Sequence, residues 1–263
     1  MTKKPEISIV IPSYNPGKLL LRSVRSVLAQ TYQDYEIIIV DDGSRDNSGN
    51  FIKVLQLDNL YYYHLEHKNA NVARNYGILH SKGKYIAMLD ADDEWYRNHL
   101  EVNIQLMRAN KCDGIYGSIE MRTPHINTLF KARRLNEGEK MINYLLSKGI
   151  GASSSTLFMK NEAARNILWD ESLKRHQDYD FVVRFWQKYK WIANEDVSAA
   201  CYLNYNPKKQ IDFESCIKFI EKHKDDIEPD KFNLYHLQMY NLAISLGADK
   251  NIVRHYLKNC RGL

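Results

Sequence analysis

Three short apolar runs near the start of this chain each give way at once to polar or acidic side chains. Residues 6–11 (EISIVI) stop at Pro12 and lead into Ser13-Tyr14-Asn15-Pro16-Gly17. Residues 36–40 (EIIIV) run into Asp41-Asp42-Gly43-Ser44, and residues 84–89 (KYIAML) into Asp90-Ala91-Asp92-Asp93. Brief aliphatic and β-branched runs bounded by turn signals read as strands buried on both faces. The intervening spacing predicts helices over 19–30, 46–56 and 71–82, with a further strand over 60–64. In the first of these helices Leu19, Leu20, Val24, Val27 and Leu28 recur a turn apart. Alternation of this kind specifies an α/β fold, a mostly parallel sheet with helices on both faces. Such sheets bind ligands beyond the carboxyl ends of their strands, so the three polar strand ends should meet at one site.

Past residue 110 the rhythm changes. Strands are expected over 114–121 and 154–160, and a helix over 178–189. From 207 onward the pattern is helical, with Phe213, Ile217 and Ile220, then Tyr235, Met239, Leu242 and Leu246, then Ile252, Val253, Tyr256 and Leu257 in register. Pro207 and Pro229 punctuate these pieces. The expected organisation is a domain over 1–206, with a ligand-binding half at 1–110 and a second half at 111–206, followed by a C-terminal helical extension over 207–263.

Composition removes several classes of function. The chain has 263 residues, 44% hydrophobic and 26% charged, as folded proteins do. Its net charge of +5 comes without dense Lys/Arg blocks, so no nucleic-acid partner is expected. The four cysteines form no CxxC pair, which argues against a zinc knuckle or a disulfide framework and for a reducing compartment. Nine scattered histidines show no metal-ligand spacing. The first apolar run is too short for a leader, and no window approaches the roughly 20 apolar residues of a membrane span, so the expected location is cytoplasmic. There is no GxGxxG. Gly77…Gly83-Lys84 is followed by Tyr85 where a P-loop needs Ser or Thr, so ATPase and Rossmann dehydrogenase readings are disfavoured.

Four constellations carry chemistry. In Leu89-Asp90-Ala91-Asp92-Asp93, three carboxylates follow a buried strand end, and like charges this close are costly unless a cation offsets them. Mg²⁺ and Mn²⁺ take oxygen ligands and share them with phosphates; a capped helix start explains the same residues. Asp41 or Asp42 can accept from a ribose hydroxyl or a base N–H, or can cap a turn. Arg74, in Ala73-Arg74-Asn75-Tyr76-Gly77, suits a phosphate as well as a salt bridge. Asp178, in His176-Gln177-Asp178-Tyr179-Asp180, opens a helix and can serve as a general base or a cap.

Taken in order, ISIVIPSYN, EIIIVDDGSRDNS, ARNYG, YIAMLDADD and QDYDF span about two thirds of the chain. The set resembles the family 2 glycosyltransferases with a GT-A fold, a Rossmann-like nucleotide-sugar-binding architecture. The resemblance implies an inverting hexosyl- or N-acetylhexosaminyltransferase. Its donor would be a nucleotide-diphosphate sugar, most often a UDP-sugar, its metal Mn²⁺ or Mg²⁺, and its acceptor a saccharide or lipid-linked saccharide of a bacterial polysaccharide or oligosaccharide pathway. By matching positions, Pro12 and Tyr14 lie by the base, Asp41 contacts the uracil edge with Asp42 close by, and Arg74 reaches the nucleotide. Asp90 and Asp92 form the DxD motif on ribose and metal-bound diphosphate, Asp93 is the rival metal ligand, and Asp178 is the catalytic base.

The chain also departs from the family pattern. Gln177 stands where Glu is usual, and Lys68-Asn69 replaces a glycine pair, altering the loop over the base or supplying a further cation. The QxxRW motif of processive synthases is missing, so one sugar is expected per event. Segment 121–149 carries Arg122, Lys131, Arg133, Arg134, Lys140 and Lys148 against Glu137 and Glu139. Arg133 and Arg134 could meet the pyrophosphate of a lipid-linked acceptor or an anionic bilayer at the inner face of the membrane, or be solvated surface. The C-terminal helices have three readings: packing on the catalytic domain, forming a homodimer, or lying on a membrane. Two rivals stand beside the transferase. A nucleotidyltransferase needs a glycine-rich loop where Pro12–Pro16 lies, and a silent sugar-nucleotide-binding module would have lost the acids that are present here.

Overall fold

The computed structural model describes residues 4–147, 151–202 and 211–260. Its frame is one nine-stranded sheet. The first four long strands are β1 (Ile7–Ser13), β2 (Tyr35–Asp41), β3 (Leu60–His64) and β4 (Tyr85–Met88). They pair in parallel in the order β3-β2-β1-β4. Every residue of β1 and β2 is buried, because helices cover both faces and leave no solvated side to alternate toward. Side-chain alternation then splits the strands between two layers. Ile7, Ile9, Ile11, Ile37 and Ile39 join a cluster with Leu20, Val24 and Val27 of α1 (Leu19–Leu28), Ile52 of α2 (Ser48–Lys53), and Leu100, Ile104 and Met107 of α4 (His99–Asn110). Val10 faces the other layer, against Ile78 of α3 (Ala70–His80). There Gly77 lets the helix settle onto the sheet, since a Cβ at this position would lie 2.4 Å from Val10 Cγ1.

Beyond β4 the sheet becomes mixed. After the two-residue β5 (Glu94–Trp95) come β6 (Gly114–Arg122), β7 (Asn127–Phe130), β8 (Phe158–Lys160) and β9 (Trp191–Tyr202). The order continues β4-β8-β6-β9-β5, with β8 antiparallel to both neighbours and β7 on β6. The strand expected over 154–160 is shorter than its run: residues Ser154–Thr156 form a 3₁₀ turn and only Phe158–Lys160 pair. The serines at that turn have work at the strand ends, described below.

Helices α5 (Met141–Leu145), α6 (Asn161–Ile167) and α7 (Gln177–Trp186) cover the second half. The expected boundary at Pro207 and the basic residue Lys148 lie outside the described residues. After them come α8 (Phe213–His223), α9 (Pro229–Ser245) and α10 (Lys250–Asn259). Pro229 opens α9 at a position where a missing N–H costs nothing. Phe213, Cys216, Phe219, Ile220, Tyr235, Met239 and Tyr256 share one buried cluster with Trp169, Phe181 and Phe185. The extension therefore packs on the 111–206 half, as the first of the three readings has it. No helix is long and apolar enough to cross a membrane among the described residues.

One buried charge fastens α8 to α7. Asp180 is fully buried and accepts from Arg184 Nε at 2.7 Å, Lys222 Nζ at 2.7 Å and His223 Nε2 at 2.9 Å. Burial pushes its carboxyl up, but His223, Arg184 and Lys222 together outweigh burial and hold it below the usual carboxylate range. Such a depressed pKa stabilises the fold above the unfolded value of about 3.9, and the contribution is lost as pH falls through the folded value. Asp180→Asn leaves Arg184 and Lys222 facing a neutral amide. Urea unfolding at neutral pH should lose about 3 kcal/mol, with the gap to wild type closing on acidification. A variant as stable as wild type at neutral pH would remove Asp180 as the tie.

Candidate functional site

The carboxyl ends of the parallel strands bound a cleft of about 390 Å³, lined by Pro12, Ser13, Tyr14, Asp42, Arg74, Asp90 and Asp92 among others. Register brings these ends level, since Ser13 pairs with Asp41 and Val10 with Met88. The loops after β1 and β2 are stitched together. Asn15 Oδ1 accepts from the Arg45 amide and Ser44 Oγ from the Asn15 amide, each at 2.8 Å. A larger groove of about 510 Å³ runs along α1, but it contains none of the strand-end aspartates.

Adjacent residues Asp41 and Asp42 point to different places, as strand alternation requires. Asp41 is not among the cleft-lining residues; it accepts from the Ser44 amide at 2.9 Å, from His64 Nδ1 at 2.9 Å and from the Tyr62 hydroxyl. Burial pushes its carboxyl up, and these hydrogen bonds outweigh it and hold the group below its ordinary value. Asp42 instead lines the cleft. Its carboxylate accepts the Lys68 amide at 2.8 Å and lies 2.8 Å from His67 Nδ1. Lys68 thus contributes its backbone here, while Asn69 caps α3 by accepting from the amides of Asn71 and Val72. Tyr14 is half exposed and stacks on His67, with ring centroids 4.1 Å apart.

Arg74 is only 5% exposed. Its Nη2 donates to Asp90 Oδ1 at 2.8 Å, its Nη1 to Asn71 Oδ1 at 3.2 Å, and its guanidinium lies over the Trp169 ring at 4.5 Å. The Asn71 and Asn75 side chains hold the segment that carries Trp169. Asn71 Nδ2 donates to the carbonyls of Asp170 and Leu173 at 2.8 and 2.6 Å, and Asn75 Nδ2 to that of Trp169 at 3.0 Å. These asparagines are positioning residues that sequence reasoning did not single out. Their signal is two amides on the same face of α3 as Arg74, three and four residues apart at the extremes.

Asp90 and Asp93 are organised by the 3₁₀ turn. Ser154 Oγ donates to Asp90 Oδ2 and Ser155 Oγ to Asp93 Oδ2, both at 2.5 Å, and Ser155 Oγ accepts the Asp90 amide at 3.0 Å. Asp92 is exposed and lines the cleft, whereas Asp93 turns inward, only 4% exposed, and also accepts from Cys201 Sγ at 2.8 Å. Burial, then the charge of Asp90, pushes Asp93's carboxyl up to about 7. All four cysteines are free thiols.

Asp178 opens α7, and its Oδ1 accepts the Tyr179 amide at 3.0 Å. Burial raises its carboxyl pKa, while Tyr179's amide and then Arg74's charge pull it down and Asp90's charge pushes it up. Asp178 does not line the cleft itself, but it lies near enough to Arg74 and Asp90 to feel their charges. Just before it, His176 adopts a left-handed φ of 56°, a strained conformation for a non-glycine residue. The Tyr235 hydroxyl of α9, 3.0 Å from His176 Nε2, helps hold it there. The Gln177 substitution leaves this start intact.

Arg133 and Arg134 do not join the cleft. Arg133 makes a two-pronged ion pair with Glu139 at 2.7 and 2.8 Å and lies over the Tyr144 ring. A guanidinium already answered by a carboxylate fork has lost most of its donor geometry for a phosphate. Arg134 is exposed and lines a separate groove with Leu135, Trp186 and Trp191. Arg133 is thus committed to Glu139 and Arg134 faces a separate groove, and neither lines the strand-end cleft.

Two polar atoms at the cleft, Ser13 Oγ and Arg74 Nε, are buried without a hydrogen-bond partner among the described residues. Native interiors rarely leave such groups unanswered, and both residues line the cleft. The donor set fits a divalent cation and an anion together: an exposed Asp92 beside Asp90 offers hard oxygens, and Arg74 offers a spare N–H.

Residues 8–168 match the model of glycosyl transferase family 2. The amylovoran biosynthesis glycosyltransferase AmsB of Erwinia amylovora is 30% identical over 69% of this chain and 64% of that protein. The UDP-Glc:alpha-D-GlcNAc-diphosphoundecaprenol beta-1,3-glucosyltransferase WfgD of Escherichia coli is 38% identical over 44% of this chain and 46% of that protein. The chain spans about a quarter or less of the length of the first curated relatives it matches. Among solved structures, residues 1–349 of TarS from S. aureus in complex with UDP superpose with a TM-score of 0.69 at 18% identity, over 97% of this chain and 78% of that one. The mannosyltransferase PcManGT from Pyrobaculum calidifontis, in complex with GDP-Man and Mn²⁺, gives 0.61 at 16% identity, over 98% and 74%. At these identities the structural likeness establishes the GT-A fold.

The electrostatics of the cleft are testable directly. Arg74→Gln removes a cation that pulls the Asp178 pKa down. Followed by carboxyl-carbon NMR, the Asp178 titration should move to higher pH in the variant. A midpoint unmoved or lowered would separate Asp178 from the Arg74–Asp90 pair.

Proposed function

The chain belongs to glycosyl transferase family 2, and on that footing we propose that it transfers one sugar from a nucleotide-diphosphate sugar to an acceptor hydroxyl with inversion at the anomeric carbon. The observation that carries this reading is the meeting of Arg74, Asp90 and Asp92 in a cleft at the carboxyl edge of the parallel strands that holds unanswered buried donors, with Asp178 near enough to feel the charges of Arg74 and Asp90. The favoured donor is a UDP-sugar. That choice is supported by the UDP-Glc donor in the name of WfgD and by the UDP held by TarS. A saccharide or diphospholipid-linked saccharide of surface-polysaccharide assembly is the proposed acceptor, in keeping with the names of AmsB and WfgD.

In this reading Pro12 and Tyr14 flank the base, and Asp42, rather than Asp41, is the carboxylate that meets it, since Asp42 lines the cleft. Asp90 faces the ribose and diphosphate. Asp92 is preferred over Asp93 as the metal-holding carboxylate, because it is exposed in the cleft while Asp93 is committed to Ser155 and Cys201. A bound Mn²⁺ or Mg²⁺ would supply Lewis-acid stabilisation of the leaving diphosphate, as the Mn²⁺ in the PcManGT complex supports.

The remaining chemistry belongs to the chain. Asp178 takes the proton of the acceptor hydroxyl as its oxygen forms a bond to the anomeric carbon. The bond from that carbon to the diphosphate oxygen breaks on the opposite face, and Arg74 offsets the charge that collects there. A single displacement inverts the configuration. The upward shift of Asp178 sharpens it as a base, because a more basic carboxylate accepts a proton more readily.

Asp178→Asn should keep donor binding and lose turnover by roughly 10²- to 10⁴-fold. The measurement is nucleotide release from UDP-sugars in the presence of diphospholipid-linked saccharides, with donor affinity read separately. Unchanged turnover would remove the base, and lost donor affinity would reassign Asp178 to binding.

A further inference from the structure

Away from the cleft, the C-terminal helices bring together three side chains that no local spacing connects. Glu221 lies on α8, His236 on α9 and His255 on α10, and one ligand atom from each lies within 4.8 Å of the others. His236 is fully buried, and its Nδ1 sits 2.8 Å from the carbonyl oxygen of Phe232. A carbonyl can only accept, so Nδ1 carries the proton and Nε2 carries a lone pair. That Nε2 is buried and meets no donor among the described residues, and neither does the buried Nε2 of His255. Two unanswered imidazole nitrogens at the meeting point of three helices are costly unless something outside the chain answers them.

We propose that His236 Nε2, His255 Nε2 and a carboxylate oxygen of Glu221 bind a divalent cation of the Zn²⁺ class, which staples α8, α9 and α10 to one another. Two imidazoles and a carboxylate are a ligand set that zinc favours over the hard cations suited to the strand-end aspartates. A ring whose Nδ1–H is fixed by a backbone carbonyl is the outer-shell arrangement that orients metal-ligating histidines. Ligand atoms around tetrahedral zinc stand roughly 3.4 Å apart, as bond lengths near 2.1 Å require, so modest side-chain rotation closes the triangle onto an ion. Glu221 is 37% exposed, and its Oε2 accepts from Lys224 Nζ at 3.2 Å. The site therefore opens to solvent on the Glu221 side, which provides an entry path and room for a water as fourth ligand.

The same helix α8 carries Lys222 and His223 onto Asp180, and α9 carries Tyr235 to His176. A cation joining α8, α9 and α10 would thus brace the helices that hold the start of α7.

The test uses the whole chain stripped with a chelator and then titrated with Zn²⁺ by calorimetry, with Co²⁺ uptake followed by its tetrahedral ligand-field absorption and thermal unfolding measured with and without metal. Wild type should take up a single equivalent of Zn²⁺ with a rise in Tm, and the Co²⁺ form should lack a thiolate charge-transfer band. Asp92→Ala should behave as wild type, which separates this site from the cleft. His255→Ala and Glu221→Gln, both at positions short of full burial, should bind roughly tenfold or more weakly and lose the Tm response, with far-ultraviolet circular dichroism checking that they fold. Three results would each overturn the site: no uptake by wild type, uptake by His255→Ala and Glu221→Gln equal to wild type, or uptake abolished by Asp92→Ala.

Discussion

The ion pair between Arg74 and Asp90 is the contact through which the rest of the site is arranged. It joins a helix of the first half to the end of a central strand, and both partners are drawn out of water, Arg74 almost wholly. A buried charge pair is tolerable only when its remaining donors and acceptors are also answered. Here two answers come from the second half, where Trp169 lies under the guanidinium and Ser154 donates to the other oxygen of Asp90, and one from α3 itself, where Asn71 accepts from the second guanidinium nitrogen. The pair therefore forces the 3₁₀ turn and the segment after α6 to close on the strand ends, and the cleft is what remains between them.

Asp178 is held from another direction. It sits two residues from Asp180, but the two carboxylates have opposite fates. Asp180 is held by Arg184, Lys222 and His223 and ties α7 to α8, while Asp178 is desolvated near Arg74 and Asp90 with a raised pKa. The strained backbone at His176, bonded to Tyr235, fixes how α7 begins. The C-terminal helices thus reach the start of α7 through Tyr235, Lys222 and His223, and none of their described residues lines the cleft.

Much of this was legible in the sequence wherever strands are buried on both faces. β1, β2 and β4 announce themselves as apolar runs, and their polar ends mark the site before any fold is known. β9 does not, because its face alternates irregularly and its partner α4 meets it through polar contacts. His99 Nδ1 lies 2.9 Å from Ser198 Oγ, and Asn103 Oδ1 accepts from Asn194 at 3.2 Å. Hydrophobic periodicity is blind to an interface made of hydrogen bonds. The choice between Asp41 and Asp42 was likewise hidden, since it turns on the pleat at the last residue of β2. The commitment of Arg133 was hidden for a related reason: a local charge excess does not reveal that Glu139, six residues on, claims the guanidinium. The histidines of the C-terminal helices converge only through tertiary packing, so their spacing along the chain carried no signal.

The central claim is that the strand-end cluster is a metal-assisted site for a nucleoside diphosphate. Calorimetric titration of the wild-type chain with UDP, with and without Mn²⁺ and against GDP and CMP as controls, tests it most directly. The account predicts binding of UDP that strengthens with Mn²⁺ and is not matched by CMP. UDP binding indifferent to Mn²⁺, or no stronger than that of CMP, would contradict it.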